Sequence, residues 1–264
     1  MSLRLNPETE GFKEFYGRST EQMQELIADG RVPLSVAGLM QRRLDVRNFD
    51  AKVKSSYMDS CFDTGDAVVY HPDGRLKIVL DSQYLREMTP QTQRNDGALV
   101  LTQEQYDAMD GEDFKKGELG KTEDWLSKAD VKRHPVLKVL ARDQALLNDY
   151  ADLIFVDGKE KFGYDKAMGV FIDSTNGDTP EMRAWFVDEL GLRSGVFGRY
   201  DLGNGGGRLV GVVPEAQGAK ISGVGNVKCY TMADVQDAVS ELEALNQSAR
   251  PESLEKVRSL VGKL

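Results

Sequence analysis

Apolar residues near the start of the chain recur at helical spacing. Residues 19–30 predict an amphipathic helix, with Ser19 and Gln22 at the spacing of a capping box and Gly30 at the end. Pro33 then predicts the start of a second helix, because proline is favoured in the first turn. This part of the chain is therefore expected to form two helices joined by a glycine turn.

Further helices are predicted where capping residues precede an apolar stripe. Thr102 and Gln105 have the spacing of a capping box. Residues 135–156 predict the longest helix, and residues 179–191 predict a helix with a threonine cap and a proline in its first turn. The last part of the chain, residues 231–264, predicts two amphipathic helices.

Alternation of apolar and polar residues replaces helical spacing between residues 57 and 101. Residues 67–80 predict two strands joined at Pro72-Asp73-Gly74, where proline presets φ and glycine supplies a positive φ. A second hairpin is predicted around Asn204-Gly205, a dipeptide that is typical of tight turns.

The order of these patterns predicts an α+β fold. Helical segments and antiparallel β-hairpins are segregated along the chain, without the regular alternation of β-α-β units. We predict a helical N-terminal region at 1–56, a mixed α+β body at 57–230 and a C-terminal helical pair at 231–264. The same pattern is compatible with one continuous domain.

Composition narrows the class of protein. The 264 residues are 40% hydrophobic and carry a net charge of −9, which opposes non-specific attraction to nucleic acid or anionic lipid. No apolar run is long enough to span a bilayer, and no apolar leader follows Met1. With two cysteines in the chain, we expect an acidic, soluble, cytoplasmic protein.

Asp63-Thr64-Gly65 matches the tripeptide that carries the catalytic aspartate of aspartic proteases. Those enzymes need two aspartates about 3 Å apart that share one proton. The chain offers a partial repeat, because Phe-Asp-Thr-Gly-Asp at 62–66 resembles Tyr-Asp-Leu-Gly-Asn at 200–204. Aspartate, asparagine and glycine recur in turns, so two hairpin ends explain the repeat better than a protease does.

Other catalytic and metal-binding motifs are incomplete. Gly120-Lys121-Thr122 matches the end of a phosphate-binding P-loop, but Lys115 stands where that motif requires glycine. The chain has two histidines and two cysteines, so a zinc site of the Cys/His type would need all four to converge. We therefore expect no metal and no cofactor, and whether the chain is an enzyme stays open.

The glycine-rich stretch at 203–207 is the best candidate for a ligand site. Consecutive glycines let backbone N–H groups converge, and Arg199 and Arg208 flank the stretch with positive charge. An enzyme of carboxylate or phosphate chemistry would gather such side chains at the ends of the two hairpins. The candidate ligand-binding residues are Asp63, Asp66, Arg199, Asp201, Asn204, Gly205, Gly206 and Arg208.

The N-terminal helices carry an alternative binding surface. Arg42, Arg43 and Arg47 follow a helix–turn–helix-like pair and are candidate phosphate contacts for nucleic acid. Because every catalytic motif is incomplete, the leading interpretation is a non-enzymatic binding or protein-interaction protein. Its partner is expected to be another protein, or a second copy that packs against the C-terminal helix at 251–264. A membrane is not expected, and nucleic acid is the less favoured partner.

Overall fold

The computed structural model describes residues 11–115, 117–173 and 177–213. The helices in these residues are α1 (Ser19–Ala28), α2 (Val36–Asp45), a 3-10 helix (Val46–Asn48), α3 (Ala51–Met58), α4 (Gln83–Glu87), α5 (Gln103–Ala108), α6 (Lys128–Val131), α7 (Pro135–Ala141) and α8 (Gln144–Phe162). The strands are β1 (Phe12–Tyr16), β2 (Val32–Pro33), β3 (Phe62–Tyr70), β4 (Leu76–Val79), β5 (Arg94–Asn95), β6 (Ala98–Val100), β7 (Glu112–Phe114), β8 (Val170–Phe171), β9 (Glu181–Val187), β10 (Val196–Phe197) and β11 (Arg208–Val212).

β3 is the centre of the sheet, and all of its residues are buried. It pairs antiparallel with β9 along its length and antiparallel with β4 from Ala67 to Tyr70. At Asp63 it pairs with β11, which runs parallel to it. The main path of the sheet has the order β1-β11-β3-β9-β10-β8. The predicted combination of helices and strands is therefore confirmed, with a mixed sheet.

Hydrophobic clusters lie on both faces of this sheet. Along β9, Trp185 and Val187 pack in the cluster that includes α2 and α8. Met182 and Ala184 pack in the cluster that includes α1 and α5. Because successive residues of a strand point to opposite faces, β9 has to be apolar on both sides.

The predicted helix at residues 179–191 is wrong, because Glu181–Val187 is the strand β9. The prediction depended on Thr179 and Pro180, which resemble a helix start. The strand is buried along its whole length between β3 and β10. Two apolar faces and the aromatic residues suit a central strand, and these tertiary contacts override the local signal.

The second predicted hairpin is also wrong. β10 and β11 lie on either side of Asn204-Gly205, and they do not pair with each other in the described part of the chain. β10 joins β8 and β9, whereas β11 joins β1, β2 and β3. The residues between them therefore run across the sheet, past β9 and β3, instead of forming a tight turn.

One predicted capping box forms and the other does not. Thr102 and Gln105 make both hydrogen bonds of the box at the start of α5, as predicted. At α1 the N-cap position is Arg18, which makes no side-chain capping bond. The hydroxyl of Ser19 donates to the carboxylate of Asp63 at 3.2 Å, so a tertiary partner replaces the local one.

The predicted C-terminal helical pair at 231–264, with the surface proposed for a second copy, lies outside the described residues. The division of the chain at 56 and at 230 stays a prediction. None of the described helices is both long enough and apolar enough to cross a membrane. The cytoplasmic location stays a prediction.

Candidate functional site

Asp63 lies at the point where β3 meets both β9 and β11. Its Cα is paired with Phe186 on β9 and with Leu209 on β11. The carboxylate accepts hydrogen bonds from Ser19 Oγ and from the backbone N–H of Arg208. Burial raises the pKa of Asp63 to about 6, because the charged form loses hydration. The side chain thus connects the start of α1 to the start of β11.

Asp66 is fully buried and has a structural role. Its carboxylate accepts hydrogen bonds from the backbone N–H of Val36 at 2.8 Å and of Asp81 at 2.9 Å, and it pairs with Arg142 at 2.7 Å. Burial raises the pKa of Asp66, and the charge of Arg142 opposes that rise. Three donors bind this carboxylate inside the core, and that Asp66 contacts a ligand stays a prediction.

The Asp63-Thr64-Gly65 tripeptide lies inside β3 and not at an exposed turn. The hydroxyl of Thr64 donates to the backbone carbonyl of Trp185 at 2.8 Å. A Cβ on Gly65 would lie 2.7 Å from a ring carbon of Pro33, so the glycine allows the two chains to pack closely. All three residues therefore make contacts that hold the sheet together.

A third buried carboxyl group, Asp188, follows the end of β9. Its Oδ1 lies 3.6 Å from Sγ of Cys61. Burial raises the pKa of Asp188 to about 6 and that of the Cys61 thiol to about 11. The thiol is therefore protonated at neutral pH and is a poor nucleophile. Sequence analysis missed Asp188 because neither it nor Cys61 belongs to a motif.

Five aromatic side chains form a continuous row near Asp63, which we call the aromatic row. Trp125 meets Phe171 edge-on with ring centroids 4.9 Å apart, and Phe171 stacks on Phe197 at 4.5 Å. Phe197 meets Phe186 at 6.3 Å, and Phe186 stacks on Tyr200 at 3.8 Å. These rings come from separate parts of the chain, so the sequence carries no local signal for the row.

Two arginines lie against the aromatic row. The Arg199 guanidinium is 5.3 Å from the ring centroid of Phe171, and Arg193 is 5.4 Å from that of Trp125. Both distances are within the range of cation–π contacts. Arg199 also pairs with Glu123 at 3.1 Å, and its side chain is 45% exposed. The row therefore presents one guanidinium group to solvent.

Residues 198–207, which we call the crossing segment, join β10 to β11. Gly198 donates its N–H to the carbonyl of Phe171 at 2.8 Å. The carbonyl of Gly198 accepts a hydrogen bond from the hydroxyl of Tyr70, which is fully buried on β3, at 2.9 Å. The start of the crossing segment is thus held through its backbone by atoms of the scaffold.

The middle of the crossing segment is also held through its backbone. Arg183 on β9 is buried and donates to the carbonyl of Tyr200 at 3.3 Å. The N–H of Leu202 donates to the carbonyl of Gly97 at 3.0 Å. Leu202 is buried as well, so one apolar side chain adds to the backbone contacts.

Gly207 ends the crossing segment in close contact with two neighbours. Its carbonyl accepts a hydrogen bond from the N–H of Gly17 at 3.0 Å. A Cβ on Gly207 would lie 2.7 Å from Oδ2 of Asp63 and 2.6 Å from the carbonyl oxygen of Gly17. Real Cβ atoms do not approach that closely, so the space at this position admits only glycine without a shift.

Arg199, Asp201 and Asn204 are the exposed side chains of the crossing segment, whereas Tyr200 is half-buried against Phe186. Asp201 Oδ1 accepts a hydrogen bond from the N–H of Gly203 at 2.6 Å, and Asn204 Oδ1 accepts one from Gly206 at 3.0 Å. The structure therefore places five of the predicted ligand residues in one exposed segment beside Asp63: Arg199, Asp201, Asn204, Gly205 and Gly206. That they bind a ligand stays a prediction.

The side chain of Arg208 lies on the other face of the sheet. Its guanidinium is 4.8 Å from the ring of Phe62 and pairs with Glu14. Phe62 and Asp63 are successive strand residues and face opposite sides. Only the backbone of Arg208 reaches Asp63, so the prediction that their side chains meet at one site is wrong.

Arg42 and Arg43 do not form a surface for nucleic acid. Arg43 is completely buried and donates to three backbone carbonyl groups at 2.9 Å each. Arg42 is 8% exposed, and its guanidinium lies 4.2 Å from the ring of Phe12. These two guanidinium groups are therefore buried away from phosphate groups, Arg47 is the exposed member of the predicted set, and nucleic-acid binding stays a prediction.

Neither Asp63 nor Asp188 is part of a recognisable metal site. Across residues 11–115, 117–173 and 177–213, no three His, Cys, Asp or Glu side chains are arranged to hold a metal ion. The site is therefore an exposed irregular segment, bordered by aromatic rings and supported by one buried carboxyl group.

Comparison with known proteins shows that the chain is similar in fold to a solved structure. No protein-family model matches the chain, and no curated protein matches it. The chain is similar to a solved structure whose description reads "Accommodation of massive sequence variation in Nanoarchaeota by the C-type lectin fold". The identity is 18% and the TM-score is 0.56, over 76% of this chain and 97% of that chain. The described part of the chain thus has a fold similar to the C-type lectin fold.

Proposed function

We propose that this chain is a non-enzymatic binding protein whose partner is another protein. The partner is contacted by the crossing segment, residues 198–207, together with the half-buried rings of the aromatic row, Trp125, Phe197 and Tyr200. The main support is that the scaffold holds this segment through its backbone. Tyr70, Arg183 and Gly97 bind its backbone, while Arg199, Asp201 and Asn204 are left exposed.

The composition of the segment supports a protein partner. Tyrosine, glycine and asparagine supply rigid aromatic area and adaptable hydrogen bonds in antibody-like binding loops, with arginine at the strongest contacts. The crossing segment contains these residue types between Arg199 and Arg208. Aromatic residues and arginine are also enriched in protein–protein interfaces.

The similar solved structure supports a display role for the segment. Its description says that the C-type lectin fold accommodates massive sequence variation. An exposed segment held by its backbone tolerates changes of its outward side chains, because those side chains do not hold the fold together. We infer that this chain uses the same property to present a binding surface.

The enzyme alternative has less support. Catalysis of carboxylate or phosphate chemistry would need the predicted acids and arginines at one reacting centre. Asp66 is bound inside the core, and the Arg208 side chain lies on the opposite face. Asp63 is bound by Ser19 and by the backbone of Arg208, whereas the Arg199 side chain donates to Glu123.

Site-specific photo-crosslinking tests the proposed function. The photo-reactive amino acid p-benzoylphenylalanine is placed at position 199 in one variant and at position 52 in a control variant. Lys52 is exposed on α3, outside the crossing segment. Each variant is irradiated in an extract of cells that make the protein, with and without an excess of unmodified chain.

We expect a protein adduct from the variant with the probe at position 199, and an excess of unmodified chain should abolish it. The variant with the probe at position 52 should not give this adduct. Identical adducts from both positions would reject the crossing segment as the binding surface. A competed adduct with a glycan or a nucleic acid would reject the protein partner.

A further inference from the structure

Asn204 and Gly205 form an exposed Asn-Gly pair within the crossing segment. In such a pair the backbone nitrogen of the glycine can attack the side-chain amide carbon of the asparagine, because no side chain obstructs the approach. A Cβ on Gly205 would have no neighbouring atom within 4 Å. The space in which the attack occurs is therefore open.

The local hydrogen bonds favour the attack. The side-chain oxygen of Asn204 accepts the N–H of Gly206 at 3.0 Å. A donor at this oxygen stabilises the negative charge that develops on it when a nucleophile adds to the amide carbon. The N–H of Gly205 makes no hydrogen bond within the described residues, so its nitrogen is not held by another partner.

We propose that Asn204 is a site of spontaneous deamidation. The nitrogen of Gly205 loses its proton and bonds to Cγ of Asn204, and ammonia leaves as the cyclic succinimide forms. Water then adds to one of the two ring carbonyl groups and opens the ring. The product at position 204 is aspartate or isoaspartate, and water is the only co-reactant.

Either product changes the surface that the crossing segment presents. Both add one negative charge beside Asp201, on a segment that is exposed at Arg199 and Asn204. Isoaspartate also adds one methylene to the backbone between the anchors at Leu202 and Gly207. The effect on partner binding rests on the proposed function, whereas the reaction itself does not.

Peptide mapping of the full chain tests the modification without any partner. Trypsin cuts after Arg199 and Arg208, so Asn204 lies in the peptide 200–208. The chain is incubated at mildly alkaline pH, and the aspartate and isoaspartate forms of that peptide are separated and quantified by mass spectrometry. A synthetic peptide of the same sequence is incubated in parallel.

The expected conversion rate in the folded chain is equal to or higher than that in the free peptide. Gly205→Ala is the matched control, since its methyl group obstructs the attack. It is expected to slow conversion about tenfold in both samples, which corresponds to about 1.4 kcal/mol in the barrier. A slower rate in the folded chain than in the peptide, or an unchanged rate for Gly205→Ala, would overturn the proposal.

The consequence for binding is measured separately with Asn204→Asp in the photo-crosslinking experiment. Deamidation without any partner adduct would leave the modification standing and reject the proposed function. A protein adduct that unmodified chain competes away, found without any deamidation, would support the proposed function and reject the modification.

Discussion

Two stretches with similar sequences have opposite roles in this molecule. Phe62–Asp66 forms the buried start of the central strand β3, whereas Tyr200–Asn204 lies in the crossing segment with Asp201 and Asn204 exposed. Asp66 accepts hydrogen bonds from three parts of the chain that are distant in sequence. Asp201 accepts one from Gly203, two residues away. The same residue types thus hold a core in one place and shape a surface in the other.

The two stretches are also neighbours in space. Asp63 on β3 binds the backbone N–H of Arg208, directly after the crossing segment. The first stretch is part of the scaffold that supports the second. The role of an aspartate in this protein therefore depends on the donors that the tertiary structure brings to it.

The largest effect is expected for Asp66→Ala. Removing this carboxylate leaves two backbone N–H groups without their partner inside the protein, and it leaves Arg142 with Asp81 as its remaining ion-pair partner. Because the side chain of Arg142 is partly exposed, we expect the free energy of unfolding to fall by about 3 kcal/mol. Urea denaturation measures the change, with Asp201→Ala as the surface control. Equal effects at both positions would remove the distinction between the two stretches.

A smaller effect is expected where the scaffold touches the crossing segment. Gly207→Ala places a methyl group 2.7 Å from Oδ2 of Asp63. We expect a loss of about 2 kcal/mol in the free energy of unfolding, as for an overpacked site. Gly205→Ala is the matched control, because its Cβ meets no atom within 4 Å, and it should change stability by less than about 0.5 kcal/mol. Thermal denaturation compares the two, and an equally stable Gly207→Ala would mean that the contact is not close in solution.

The titration of Asp63 is expected to have a still smaller effect. Its pKa rises from 3.8 to about 6 on folding, so the folded state binds more protons between these values. The resulting stabilisation is complete below 3.8 and is lost as the pH rises through about 6. Between about pH 7 and about pH 5 the contribution to the free energy of unfolding should increase by about 1 kcal/mol.

Asp63→Asn isolates this contribution, because asparagine can still accept from Ser19 and does not titrate. The difference in stability between the variant and the natural chain should shrink as the pH falls. A difference that is constant over this range would show that Asp63 has an ordinary pKa.

The smallest effect on stability is expected for the outward side chains. Replacing Arg199, Asp201 and Asn204 together with serine removes two hydrogen bonds to local backbone and the half-exposed ion pair between Arg199 and Glu123. Each substitution should change the free energy of unfolding by less than about 0.5 kcal/mol. For crosslinking, p-benzoylphenylalanine is placed at position 200, because position 199 carries serine in this variant. The partner adduct should then be lost. A large loss of stability would mean that these side chains hold the segment, and would contradict its anchoring by the backbone.

Local patterns in the sequence predicted local structure in some places and failed in others. The capping box of Thr102 and Gln105 forms as predicted, because all of its partners lie within one turn of helix. The presence of both helices and strands follows from the two apolar periodicities. Five of the predicted ligand residues lie in one exposed segment, because glycine, asparagine and aspartate are poor formers of buried strands.

Predictions that depended on distant partners failed. Arg43 has the sequence context of a basic helix surface, and it is buried because carbonyl groups from other elements receive its N–H groups. Ser19 has the spacing of an N-cap and binds Asp63 instead. Neither partner can be identified from the residues that surround Arg43 or Ser19 in the chain.

The capping box of Thr102 and Gln105 could be identified from the residues alone, because its hydrogen bonds are local. In contrast, the central strand at residues 181–187 and the path of residues 198–207 across the sheet depend on partners that are distant in the chain. The two cases differ in the range of the interactions. Capping and turn contacts span a few residues, whereas strand pairing and the burial of Asp66 and Arg43 join residues far apart in the chain.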